Sequence, residues 1–160
     1  MATFNTRNLR DGVVTFKSTT VGATAVHQTI ALDEGDLSWT QTQNVIEVSD
    51  RGVLSHIRAG DQAATDISFT LKYQNLQVDT ATTPYEAIRG VGAASTWKST
   101  DSSDTYTIST FFQVFNTSDV LEETLRFDLF YWQSIEFSEG DEYSTLAVTG
   151  RSFTTAPTIT

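Results

Sequence analysis

Apolar and polar residues alternate with a period of two through much of this chain, and the pattern is longest over 124–153. From Leu125 the odd positions Leu125, Phe127, Leu129, Tyr131, Ile135 and Phe137 are apolar or aromatic, and the even ones include Arg126, Asp128, Ser134 and Glu136. That spacing predicts one strand with a core face and a free face. Such a strand exceeds the usual length of about 5–6 residues. The acidic turn Glu139-Gly140-Asp141-Glu142 then leads into a second strand, so 124–137 and 143–153 read as a closing hairpin. A long strand with a polar outer face needs partners in its own sheet or on another subunit. Phe130 and Trp132 fall on the even face, where an exposed pair of large rings predicts a subunit interface.

The remaining elements follow from the same reading. Residues 1–12 have weak periodicity and read as an N-terminal arm. Strands are predicted over 13–18 and 26–32, and over 37–42 after the turn Asp33-Glu34-Gly35-Asp36, which makes 26–42 a hairpin. In 64–74 the alternation is strict, with Ile67, Phe69, Leu71 and Tyr73 facing one way. Residues 43–62 admit two readings: two short strands around Asp50-Arg51-Gly52, or a projecting loop that orders against a neighbour. Ile46, Val48, Val53 and Ile57 are the interface candidates there. A short strand around Trp97, a strand over 105–115 and a C-terminal tail over 154–160 complete the chain.

One helix is predicted. Thr83-Pro84-Tyr85-Glu86 combines an N-cap threonine, a proline at the first helical position and a glutamate three residues after the cap. Gly90 stands where a helix of two turns stops. The expected architecture is therefore all-β, a sandwich or partial barrel flanked by one short α-helix, in a single domain spanning 1–160.

Composition narrows the function classes. The net charge of −10 and pI near 4.4 oppose phosphate neutralisation as a binding mode, which needs clustered Lys and Arg. With no cysteine, thiolate metal sites and disulfides are excluded. The first residues show no signal-peptide pattern, and no apolar run approaches the roughly 20 residues needed to span a bilayer. Membrane insertion is not expected. His27 and His56 belong to no metal-spaced pair, and no serine sits in a nucleophile elbow. Neither acidic turn has the spaced ligands of a calcium loop, and Gly90-Val91-Gly92 follows the helix instead of opening one. An enzyme is not expected, nor any cofactor or metal. Trp39, Trp97 and Trp132 leave a sugar-stacking platform as an alternative function.

Four blocks resemble the tail tube (major tail) proteins of long-tailed bacteriophages. They are Asp11-Gly12-Val13-Val14; Ile57-Arg58-Ala59-Gly60-Asp61-Gln62 leading into the strand from Asp66 to Tyr73; the helix Pro84–Ile88; and Phe137–Tyr143 with Leu146–Gly150. The resemblance implies a β-sandwich with one helix whose copies close into hexameric rings, joined edge to edge and stacked into a tube. DNA would pass through without specific binding, as part of a virion tail assembled in the host cytoplasm. The implied partners are tape measure, tail terminator and distal tail proteins. The tube of a contractile injection or secretion system, which shares the fold, is the neighbouring alternative. A conduit lined with carboxylates repels phosphate, and Asp36, Glu47, Asp50, Asp61 and Asp66 are the candidate lumen acids. The arms 1–12 and 154–160 and the segment 43–62 would supply ring-to-ring contacts.

Overall fold

An 18-residue strand, Leu121–Ser138, organises the molecule by exchanging partners halfway along its length. The computed structural model describes residues 13–17, 28–31, 37–73, 82–95, 97, 105–115 and 120–160. In chain order the strands are β1 (Val13–Lys17), β2 (Gln28–Ala31), β3 (Ser38–Thr40), β4 (Val45–Asp50), β5 (Val53–Ala59) and β6 (Thr65–Lys72). Helix α1 (Pro84–Arg89) follows, then β7 (Ile108–Phe115), β8 (Leu121–Ser138), β9 (Thr145–Ser152) and β10 (Thr158–Ile159). Eight strands form one antiparallel sheet in the order β2-β1-β7-β8-β9-β6-β3, with β10 added on β8, while β4 and β5 pair separately. The sheet curls until β2, near one end of the order, approaches β6 near the other. This is the partial barrel of the all-β expectation, with α1 as its short flanking helix.

The expected hairpin 26–42 does not form. β2 pairs with β1 and β3 with β6, so the two lie at opposite ends of the sheet. Pairing Trp39 with Ile67 sets its ring edge-on to Phe127, 6.2 Å away, a contact that a local hairpin would not give. The turn 32–36 lies outside the described residues, as does the arm 1–12. Trp97 is buried, but it follows a 3-10 turn at Gly92–Ala94 and belongs to no strand.

Inside the curl the core is aromatic. Phe69 on β6 meets Phe16, Phe112 and Phe130 at 6.3, 5.3 and 5.9 Å, and Phe112 meets Phe127 at 5.6 Å. Burial along β6 alternates without a break, as its sequence pattern requires. Helix α1 closes the core with Pro84, Ala87 and Ile88. Its start is the predicted capping box: Thr83 accepts from the Glu86 amide, and the Glu86 carboxylate accepts from the Thr83 amide at 3.0 Å. The Tyr106 hydroxyl donates to the Ala87 carbonyl at 2.7 Å and ties the helix to the chain entering β7.

β8 does not keep the odd-position core face expected over its whole length. Ile108 pairs with Phe130 but Thr110 with Phe127, so two residues of β8 oppose one of β7. Leu129 takes a left-handed φ of 52° at this bulge. A second irregularity, between Trp132 and Ser134, leaves Gln133 without a partner on β9. The core face therefore runs Leu125, Phe127, then Phe130, Trp132, then Ile135 and Phe137. Tyr131, expected in the core, lies opposite Arg151 on the polar face. Phe130 is 1 % exposed, so the expectation that it offers its ring to another subunit is corrected: the bulge turns it inward. Trp132 packs against the core, with the Arg89 guanidinium 5.2 Å over its ring.

Candidate functional site

Of the two readings of 43–62 the structure has the strands: β4 and β5 pair as a hairpin in a sheet of their own. Its base is pinned where the Gly60 backbone amide donates to the Asn44 carbonyl at 2.8 Å and the Asn44 side-chain Nδ2 donates to the Asp61 carbonyl at 2.9 Å. At its tip Arg51 and Gly52 have φ of 51° and 85°, the paired left-handed residues of a tight hairpin turn. Register puts Val45, Glu47, Ser49, Leu54, Ile57 and Ala59 on one face. The other carries Ile46, Val48, Asp50, Val53, His56 and Arg58. Ser55 is the extra residue of a bulge between Val48 and Ser49. Both faces are thus apolar and both lie open: Ile46 is 55 % exposed and Val53, Leu54 and Ile57 close to 70 %. An isolated two-stranded ribbon is marginal in water, and exposed apolar surface on both sides marks a binding element.

The polar groups of the hairpin are not arranged as a catalyst. Arg58 Nε donates to His56 Nε2 at 3.1 Å, which occupies the imidazole lone pair. Nδ1 then carries the proton and donates to Ser55 Oγ at 3.2 Å. A serine nucleophile needs the reverse polarity, with the imidazole accepting. Among the described residues no group of three His, Cys, Asp or Glu could hold a metal ion.

The candidate lumen acids are not gathered on one surface. Asp36 lies outside the described residues. Glu47 and Asp50 are on the hairpin, on opposite faces, and Asp61 is at its base. Asp66 is on β6, where Arg151 Nε of β9 meets its carboxylate at 2.5 Å. The hydrogen bond to Asp66 and its charge hold the Arg151 guanidinium more firmly protonated, with a smaller contribution from Tyr131. On the same polar face Arg126 pairs with Asp128 at 2.8 Å. This side of the sheet neutralises part of its own charge, a pairing between strands that the alternation pattern does not reveal.

At the opposite end of the sheet, β8 and β9 run out into the turn 139–144. Phe137 is 55 % exposed there and stands edge-on to Tyr73 at 5.2 Å, and Lys72 lies 4.5 Å over the Tyr143 ring. The C-terminal tail folds back on its own chain. Its root is held where the Thr154 carbonyl accepts from the Thr65 hydroxyl at 2.9 Å. Its tip pairs Thr158 with Arg126 and Ile159 with Leu125, and Thr160 exchanges backbone bonds with Thr124. The three tryptophans form no common platform: Trp97 is buried, Trp132 lies under Arg89, and Trp39 packs on Phe127.

A curled antiparallel sheet with one capped helix and a projecting hairpin is a tail-tube-like architecture. No protein-family model matches the sequence, and no curated protein matches it. Solved structures do share the fold. The chain resembles one in the sheath/tube terminator of the extracellular contractile injection system PVC in its extended state. That match has a TM-score of 0.65 at 11% identity and covers 99% of each chain. A chain of the PVC sheath-tube complex matches with a TM-score of 0.61 at 11% identity, covering 95% of this chain and 89% of that one. A chain of the anti-feeding prophage tube-terminating cap matches at 0.57 and 14% identity, over 100% of this chain and 94% of the other. No helix among the described residues is long and apolar enough to cross a membrane.

Proposed function

We propose that this chain is a structural subunit of a tail-like tube, in which identical copies close into rings and the rings stack. The observation that carries the reading is the β4–β5 hairpin, a ribbon with apolar residues on both faces that nothing among the described residues covers. A head-to-tail contact of this kind closes into rings or propagates into filaments, according to its rotation. The overhanging half of β8 supports the same reading. β7 pairs with it only as far as Phe130, so its backbone on that side is available to a strand of another copy among the described residues.

The role is mechanical, not catalytic, and the partners are further copies of the chain, in hexameric rings, with the proteins that terminate the tube at either end. A net charge of −10 keeps DNA or another polyanion from adhering to the wall, although Asp66 itself is neutralised by Arg151. Two settings fit: the tail of a bacteriophage, where the tube conducts the genome, and a contractile injection system. The second is favoured by the likeness to the PVC and anti-feeding prophage chains. Electron microscopy and sedimentation of the purified protein test the reading. Rings or tubes are expected, and a strictly monomeric protein at high concentration would overturn it. Capsid and portal genes beside this one, against injection-system genes, separate the two settings.

A further inference from the structure

We infer that the tail strand β10 guards one edge of β8 against pairing with a second copy, and so leaves assembly a single open edge. The inference rests on the tube reading for the use of the other edge and adds a device that regulates how copies meet.

Register shows which edges of β8 are covered. β7 and β10 both pair with Leu125 and Arg126, so they lie on opposite edges of β8 there. β7 and β9 both pair with Phe130, so β9 and β10 share the edge away from β7. Six residues of chain lead from Ser152 to Thr158 while four of β8 lead from Phe130 back to Arg126, so 153–157 bows out and the tail rejoins the line of β9. Along that edge the cover reaches from Ser138 to Thr124. Along the other, β7 stops at Phe130, and 131–138 stays open among the described residues. Without β10 the strand would offer acceptor edges on both sides, and a copy could be taken up on either.

β10 adds little to the core. Thr158 and Ile159 are both exposed, so the strand buries almost no side chain. What it supplies is backbone pairing: the Thr124 amide donates to the Thr160 carbonyl at 2.7 Å, and the Thr160 amide to the Thr124 carbonyl at 3.0 Å. These are the groups through which an edge strand recruits another chain. The tail is tethered close by, because the Thr154 carbonyl accepts from the Thr65 amide at 3.2 Å as well as from its hydroxyl. So short a tether gives the tail an effective concentration on the order of millimolar at its site, and it closes again before a second molecule arrives. Exposed Leu121 and Phe153 stand at the two ends of the guarded stretch, so the bare edge would be apolar at its flanks as well as unpaired. The copy excluded is a twin. Two such edges brought together antiparallel around Leu125 make a two-fold contact, which is closed and cannot propagate into a ring. The guard thus removes a dead-end dimer that would compete with head-to-tail assembly.

The test compares the full chain with one ending at Thr155, both carrying Arg126→Cys in a sequence that has no cysteine of its own. In the two-fold pairing the two thiols come within reach of a short bis-maleimide. The truncated chain should stay folded by circular dichroism and give at least about tenfold more covalent dimer at equal concentration. Thr160→Pro, which removes only the amide that bonds the Thr124 carbonyl, should give an intermediate yield. A synthetic peptide of residues 154–160 should lower the truncated chain's yield toward that of the full chain. Equal yields in the two chains, or a yield that the peptide leaves unchanged, would overturn the guard. Loss of the fold on truncation would overturn it too, since the tail would then hold the structure itself. The tube reading is judged separately, by whether the wild-type chain makes rings or tubes.

Discussion

Replacing Gly90 with alanine should unfold the junction between helix and sheet more than any other single methyl added to the described surface of α1. Gly90 ends the helix at φ 66° and ψ 41°, the left-handed region in which alanine costs about 1 kcal/mol or slightly more. A Cβ there would lie 2.3 Å from two carbons of the Tyr106 ring and 2.7 Å from a third. The ring cannot simply move, because its hydroxyl is held by the Ala87 carbonyl at 2.7 Å and the residue is largely buried. Overpacking costs about 1–3 kcal/mol, and a displaced hydroxyl left unbonded about the same again. The sum is roughly 3–7 kcal/mol, enough to lower a urea midpoint by roughly 2 M or more at a typical slope. Gly90→Asn separates the causes, since asparagine tolerates the left-handed region but carries the same Cβ. If the steric contact dominates, asparagine and alanine are equally harmful, and either change costs only about 1 kcal/mol in a Tyr106→Ala background. An alanine variant within about 1 kcal/mol of the wild type in urea melts would refute the reasoning.

Burial pushes the Tyr106 hydroxyl well above its ordinary pKa of 10.0, so the folded state keeps a proton that the unfolded chain loses. Stability should therefore fall above pH 10, by about 1.4 kcal/mol per pH unit from this group, and Tyr106→Phe should remove that part of the slope in alkaline urea titrations. Thr110→Val should be neutral or slightly stabilising in thermal melts. The Thr110 hydroxyl is fully buried without a hydrogen-bond partner among the described residues, and valine keeps the shape while removing the desolvated group. Phe69→Ala, which empties the centre of four interlocking rings, should cost about 3–5 kcal/mol by the same measurement. Arg89→Ala should cost about 0.5–1 kcal/mol and make Trp132 more accessible to fluorescence quenchers, because the guanidinium lies over that ring.

How far the fold was legible depended on whether its cause was local. The start of α1 was readable because Thr83, Pro84 and Glu86 carry their own instructions within four residues. β6 was readable because one face is buried along its whole length. The bulges of β8 were not, because Leu129 adopts a left-handed φ with no glycine or asparagine to announce it. The partners of β2 and β3 were also hidden, since a strand of three or four residues has too few side chains to specify a neighbour. In the functional region, the apolar residues of 43–62 pointed to an interface, but the pairing of Asp66 with Arg151 spans 85 positions and left no periodic trace.

The two irregularities in β8 also cancel each other. Each shifts the even–odd parity of the strand once, so Ile135 and Phe137 recover the parity of Leu125 and Phe127, and only Phe130 to Trp132 are out of step. Deleting Leu129 or Gln133 alone would remove one bulge and leave every later side chain on its present face, whereas losing a paired residue elsewhere in the strand would turn the rest to the wrong side. Related chains of different length should therefore gain or lose single residues at these two places.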